Sequence, residues 1–254
     1  MLYKLGAVPY LNALPLIHYL KERPRLEPPA PLSRLLKIGE LDIATAPIVT
    51  LFENPHYSLV PGLCIGSNGP VGSVKVFFTS PGINLQNIRT IYLDMESKTS
   101  ALLLKVLLKF KYGRDLDEIT FFHPLPPRSC EAKLLIGDKA MKELAVAPAA
   151  DLGDEWTSWT GLPFVFAAWV SRHPEVSVRG IEELTQARDE GLRNIASVIP
   201  QNFVFPFEAI KSYLENLIYR LGDKEREGMN LFRDYLLRGE FLEARAAPLK
   251  YAVS

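Results

Sequence analysis

The chain has 254 residues, 48% of them hydrophobic, enough to bury one large core or two of ordinary size. Lysine plus arginine number 29 and aspartate plus glutamate number 29, so the overall charge offers no hold on nucleic acid or an acidic membrane surface, and an anionic ligand must be bound locally. The two cysteines and four histidines share no ligand spacing, which argues against a metal site and for ordinary reduced thiols.

In chain order, residues 2–8 read as a short apolar strand that Pro9 ends. Asn12 then precedes an apolar run from Leu14 to Leu20 with helical spacing, so it is placed at a strand-to-helix corner. Two roles fit an amide there. It caps the helix, with Pro15 tolerated in a first turn whose N–H groups lack partners, or it contacts a ligand, since such corners of α/β folds bind ligands. His18 and the two prolines interrupt any export signal, and no apolar run reaches the ~18 residues of a membrane span. A soluble, cytoplasmic protein is expected.

Pro31 to Ala46 reads as a helix, a stop at Gly39 and a strand. Residues 57–65 and 70–78 are strand-like runs separated by the turn cluster Gly66-Ser67-Asn68-Gly69, and the second is long enough to leave a first lobe. From Ile88 a new alternation predicts strand 90–93, helix 98–111, strand 119–122, a proline-rich bend, strand 133–136 and helix 138–144. Asp138 is the expected cap of the last helix. Asp151, Asp154 and Glu155 offer themselves as an acid/base pair, but a hydrated loop anchored by Trp156 and Trp159 is the simpler reading. A long apolar strand at 163–170 returns the chain, and the remainder is helical. This order predicts an α/β protein of two lobes, the first from 1–79 and 165–254 and the second inserted as 80–164, with two crossings and a ligand cleft between lobes.

Ser97, Thr99 and Ser100 open the helix at 98. Ser97 is the natural N-cap, and position 100 lacks the Glu or Gln of a capping box, leaving hydroxyls beside free N–H groups and a positive dipole end. That combination suits a carboxylate. Ser67 and Ser73 flank the first crossing and are the other polar candidates. No nucleotide-binding glycine pattern, nucleophile–base set or metal cluster is present. No cofactor is expected.

Across residues 5–170 the segments Gly6-x-Val8-x-Tyr10-Leu11-Asn12-Ala13-x-Pro15-Leu16, Gly39-Glu40-Leu41-Asp42, Gly66-Ser67-x-Gly69-x-Val71-x-Ser73-Val74, Ser97-x-Thr99-Ser100, Leu135-Ile136-Gly137-Asp138-x-Ala140 and Asp151-Leu152-Gly153-x-x-Trp156 occur in the order found in one family. The chain resembles the chorismate dehydratases of the futalosine-dependent menaquinone pathway. The resemblance implies a type II periplasmic-binding-protein-like fold and the conversion of chorismate to 3-[(1-carboxyvinyl)oxy]benzoate. It implies Asn12 as the catalytic amide, with Ser73 and the Ser97–Ser100 segment lining the site. Ala46-Pro47-Ile48 departs from the family, where a serine often follows the proline. Two other readings share the fold: a non-catalytic small-anion binder, and the pathway's later naphthoate-forming enzyme, whose corner typically reads Cys-Pro-Asn-Asp where this chain has Tyr10-Leu11-Asn12-Ala13. The sequence leaves the oligomeric state and the base that takes the substrate proton open.

Overall fold

A computed structural model describes residues 3–94, 96, 98–125, 127–143, 148–201, 203–242 and 250–252. The chain forms two compact units, one from Met1–Gly66, Val165–Asp223 and Arg245–Ser254, the other from Ser67–Phe164 and Lys224–Ala244.

The first unit opens with β1 (Leu5–Ala7), a 3-10 turn at Leu11–Ala13 and the one-turn helix α1 (Leu14–Ile17). There follow β2 (Arg25–Leu26), α2 (Pro29–Ile38), β3 (Ile43–Pro47), α3 (Ile48–Glu53) and β4 (Ser58–Ser67). Helix α2 buries Leu32, Leu35 and Leu36, one face at helical spacing. It ends where the sequence predicts, because Gly39 adopts a φ of 79° and donates to the carbonyls of Leu35 and Leu36.

In the second unit lie β5 (Val74–Phe78), β6 (Thr90–Leu93) and α4 (Lys98–Val106), which continues as a π-helical stretch over Leu107–Lys111. Then come β7 (Thr120–Phe122), β8 (Ala132–Ile136), α5 (Gly137–Glu143), β9 (Ala149–Asp151) and α6 (Leu152–Thr160). The chain returns to the first unit along β10 (Phe164–Ser171) and adds α7 (Val178–Arg193), α8 (Ile195–Val198) and α9 (Phe207–Asn216). Helix α10 (Asp223–Arg238) packs with the second unit.

Each unit is built on a five-stranded mixed sheet, in the orders β2-β1-β3-β10-β4 and β7-β6-β8-β5-β9. Strand β1 runs parallel to β2 and β3, and β10 lies antiparallel to β3 with Ala168 opposite Ala46. In the other sheet β6 is parallel to β7 and β8, while β5 is antiparallel to β8 and β9. The strand-like runs around Gly66–Gly69 therefore form no hairpin. They feed different sheets.

Three local expectations change. Residues 152–160 are a helix rather than a hydrated loop, because Trp156 is fully buried against Phe164, Phe232, Tyr235 and Trp159, with ring centroids 5.3, 5.9, 6.3 and 6.0 Å away. The same cluster draws α10, which carries Phe232 and Tyr235, into the second unit, whereas the sequence reading kept all of 165–254 with the first. Finally, α5 begins at Gly137, so Asp138 sits inside its first turn rather than ahead of it. An acid there still favours the positive helix end.

Candidate functional site

The corner that carries Asn12 is fixed from both sides. Val8 N donates to the Thr45 hydroxyl at 3.0 Å, Ala13 N donates to the Tyr10 carbonyl at 3.0 Å, and Pro15 lies in the first turn of α1. Against α1 runs α7, where a Cβ on Gly191 would sit 2.0 Å from the Pro15 carbonyl oxygen, so only glycine permits this approach. Asn12 caps nothing: neither the 3-10 turn nor α1 has a side-chain cap. Its Oδ1 is shielded from solvent and, among the described residues, accepts no hydrogen bond. A buried acceptor left idle costs about 1–3 kcal/mol, so it calls for a reason.

A second idle oxygen lies at the start of α4. Thr99 and Ser100, 4% and 5% exposed, sit in its first turn, and Thr99 Oγ1 is buried with no hydrogen-bond partner among the described residues. Ser97 lies outside the described residues. First-turn N–H groups lack intrahelical partners and, with the helix dipole, give an anion two sources of attraction. Other buried N–H and O–H groups are idle too, among them those of Trp156, Trp169 and Tyr219 and one N–H of Arg114, whose other terminal nitrogen donates to the Ile88 carbonyl. The first three belong to large rings whose burial packs the core; Asn12 and Thr99 are small polar side chains at element ends.

Immediately before α4, Asp94 is 5% exposed and receives the Glu96 backbone N–H at 3.1 Å. Lys139, on α5, donates to both Asp94 oxygens at 3.3 and 3.1 Å and to Glu96 Oε2 at 3.0 Å. Burial pushes the ammonium down, but these two carboxylates outweigh it and hold Lys139 above its ordinary value. Sequence reasoning passed over this cluster, because its members are 45 residues apart and share no motif.

The remaining candidates are already engaged, Ser67 within its own turn and Ser73 across to α5. Ser67 is fully buried and its hydroxyl donates to the Gly69 carbonyl at 3.0 Å, while Ser73, 2% exposed, accepts the Gly137 N–H on its carbonyl at 2.8 Å. The acid that organises this region is Asp151. Its carboxylate takes the N–H groups of Val71 at 2.9 Å, Gly72 at 2.8 Å, Gly153 at 3.0 Å and Asp154 at 3.3 Å, with Lys75 Nζ 4.0 Å away. Asp151 thus caps α6 and ties the approach to β5 onto it. Glu155 is equally engaged: Lys111 Nζ lies 2.6 Å and the Tyr112 hydroxyl 2.5 Å from its Oε2. Burial, then the hydrogen bond and charge of Glu155, push the Tyr112 hydroxyl well above its ordinary value. These acids are structural partners rather than an acid/base pair.

Among the described residues no group of three His, Cys, Asp or Glu side chains is placed to hold a metal ion, and no helix is long and apolar enough to cross a membrane.

Two five-stranded mixed sheets, with the chain returning to the first along β10, give a periplasmic-binding-protein-like fold. The alkanesulfonate-binding protein of Xanthomonas axonopodis pv. citri bound to MOPS matches with a TM-score of 0.64 at 19% identity, covering 96% of this chain and 94% of that one; so distant a likeness speaks for the fold alone. The chain belongs to the menaquinone biosynthesis family, whose sequence profile spans residues 3–238. It is 30% identical to the chorismate dehydratase of Thermus thermophilus over 92% of this chain and 95% of that protein. Chorismate dehydratase of Campylobacter jejuni is 26% identical, with coverages of 89% and 94%.

Proposed function

We propose that this protein removes water from chorismate to give 3-[(1-carboxyvinyl)oxy]benzoate, a hydro-lyase step of the futalosine route to menaquinone carried out in the cytoplasm. The observation that carries the reading is the 30% identity to a chorismate dehydratase along almost the whole of both chains. The idle Asn12 and Thr99 oxygens agree with it.

The chemistry asks little of the protein beyond restraint. Loss of the C3 proton and the C4 hydroxyl turns a cyclohexadiene into an aromatic ring: the C3–H electrons become the C3=C4 bond, the C4–O bond breaks, and the departing hydroxide leaves as water. Dianionic chorismate has one hydrogen-bond donor, its C4 hydroxyl, and an idle amide oxygen matches it. Asn12 therefore orients the C4 hydroxyl on its Oδ1, with its N–H groups available to the enolpyruvyl carboxylate or the departing oxygen. Thr99 and Ser100, with the first-turn N–H groups of α4, hold a carboxylate, and Ser73 shapes the approach. Ser97 belongs to this proposal by sequence alone. Ser67 contributes to the turn rather than to substrate.

Among the described residues, no titratable side chain at either place is free to act as the base. The enolpyruvyl carboxylate, attached through oxygen to C3, reaches the C3–H by rotation about its ether bond, and high effective molarity offsets its weak basicity. Negative charge spreads through the diene to the ring carboxylate as the C4–O bond breaks, and the proton held on the enolpyruvyl carboxylate passes to the departing hydroxide, which leaves as water.

Mixing the purified protein with chorismate and following the new aromatic product by absorbance and mass tests the reaction. Tight binding of chorismate without product would make the protein an anion binder instead. A chorismate analogue with an amide in place of the enolpyruvyl carboxylate tests the base: it should bind and fail to react, and turnover near that of chorismate would return the search to a protein base.

A further inference from the structure

The start of α4 poses an electrostatic problem. Asp94 and Glu96 precede Thr99 by five and three residues, so the Glu96 Cα lies within about 11 Å of the Thr99 Cα by chain length alone. That is close to the Debye length of about 10 Å at 0.1 M salt, and the buried Asp94 side chain is shielded far less than a surface charge. Two carboxylates so near an anion site oppose the ligand that the helix end attracts.

Lys139 is the cation that meets both. Its Nζ lies 3.1 Å from Asp94 Oδ2 and 3.0 Å from Glu96 Oε2, and it reaches them from α5, which follows β8, the strand paired with β6. Asp94 in turn receives the Glu96 N–H, so the ammonium and the backbone of the turn meet on one carboxylate. The result is a short strap from α5 to Asp94 and Glu96 that halves the negative charge there.

We propose that Lys139 is a positioning residue for anion binding at the start of α4: it neutralises and ties down Asp94 and Glu96 so that the Thr99–Ser100 turn accepts a substrate carboxylate. The inference rests on the dehydratase reading, since that reading supplies the carboxylate. Lys139 touches no reacting atom, so its effect falls on affinity and not on the chemical step.

The test measures chorismate turnover and, separately, the binding of 3-[(1-carboxyvinyl)oxy]benzoate by calorimetry, with thermal melting as a check on folding. Lys139→Met raises KM and the product Kd about fivefold at low salt and about twofold or less at 0.5 M salt, with kcat nearly unchanged. Lys139→Arg restores both values. Glu96→Gln, which keeps Lys139, tightens product binding, and Glu96→Gln added to Lys139→Met recovers part of the lost affinity. A folded Lys139→Met protein with wild-type KM and Kd overturns the proposal, as does a lowered melting temperature with unchanged affinity, which would make the strap purely structural. Should Lys139→Met fail to fold, unchanged or weaker product binding by Glu96→Gln overturns it alone. Wild-type protein that neither converts chorismate nor binds the benzoate overturns the dehydratase reading and this inference with it; wild-type protein that does both, beside indifferent variants, overturns this inference only.

Discussion

Asp151 and Asn12 are both polar side chains at the start of helical segments, and they are used in opposite ways. The Asp151 carboxylate receives four backbone N–H groups and caps α6, whereas the Asn12 oxygen is buried without any partner among the described residues and caps nothing. Folding accounts fully for Asp151. It does not account for Asn12, because a turn that wanted only stability would do better with an apolar side chain than with a desolvated, idle acceptor. At these two helical starts the saturated group is structural, whereas the idle one is the group we propose acts on substrate, and that contrast is open to test.

The largest expected effect is on stability. Asp151→Ala leaves four N–H groups without their common acceptor and should lower the unfolding free energy by about 4 kcal/mol, since hydrogen bonds to charged groups contribute about 1.5–3 kcal/mol each and some of the freed donors regain water. Denaturant titration measures it, and Asp151→Asn should recover part of the loss. A loss under about 1 kcal/mol would make the four contacts incidental and weaken the contrast.

Asn12→Ala should show the reverse pattern. Its melting temperature should stay close to wild type, while kcat falls roughly 30- to 1,000-fold, or about 2–4 kcal/mol of transition-state stabilisation, if the amide is worth as much as an oxyanion-hole donor. Steady-state kinetics beside a thermal melt separate the two quantities. Near-wild-type kcat in the folded variant would reduce Asn12 to a packing residue.

Next comes affinity. The Thr99→Ala/Ser100→Ala double variant should weaken binding of the benzoate product about tenfold, or 1.4 kcal/mol, while losing little stability, because the Thr99 oxygen has no partner among the described residues to lose. Normal product binding would leave the start of α4 without a ligand.

What the sequence made legible follows the same division. Strand β6 falls at 90–93 as predicted and Gly39 stops α2, because both signals are local: a β-rich apolar run, and a glycine taking positive φ after a helical face. The corner holding Asn12 was placed correctly, but its 3-10 turn was not foreseen. Pro15 lacks the N–H that a continuous helix would bond back to Leu11, so the chain closes with tighter bonds such as Ala13 N to Tyr10 O. Helix α6 was missed because Gly153, Thr157 and Ser158 dilute its helical pattern. Its helicity depends on Asp151 and on burial of Trp156 against aromatic residues of β10 and α10. A signal was nevertheless available, as Asp151 followed by Asp154 and Glu155 is the sequence of a capped helix start with acids in its first turn. The Lys139 strap had no such trace, since only the parallel pairing of β6 with β8 brings residues 94 and 139 together.

The smallest effect extends the contrast to a saturated acid at a more exposed place. Asp42 accepts the Lys4 backbone N–H at 2.9 Å, and its other oxygen lies 3.0 Å from His173 Nε2 and 3.9 Å from Arg172. Burial pushes the carboxyl up, but the Lys4 N–H, the His173 hydrogen bond and charge, and Arg172 outweigh it and hold Asp42 below its ordinary value of 3.8. A carboxyl lowered in the folded state contributes stability that is present above its unfolded value, and loses it as the pH falls through the folded one. Asp42→Asn should therefore cost about 1 kcal/mol or less at neutral pH, in keeping with a partly solvated ion pair. The gap in melting temperature between wild type and variant should narrow below about pH 4 and close at lower pH, where the wild-type carboxyl is protonated and the two side chains carry the same charge. A gap of constant size from about pH 7 down to pH 2 would show that the hydrogen-bond geometry of Asp42 matters and its charge does not. Asp42 would then be saturated in the sense of Asp151 but without the electrostatic component, and the contrast with Asn12 would rest on hydrogen bonding alone.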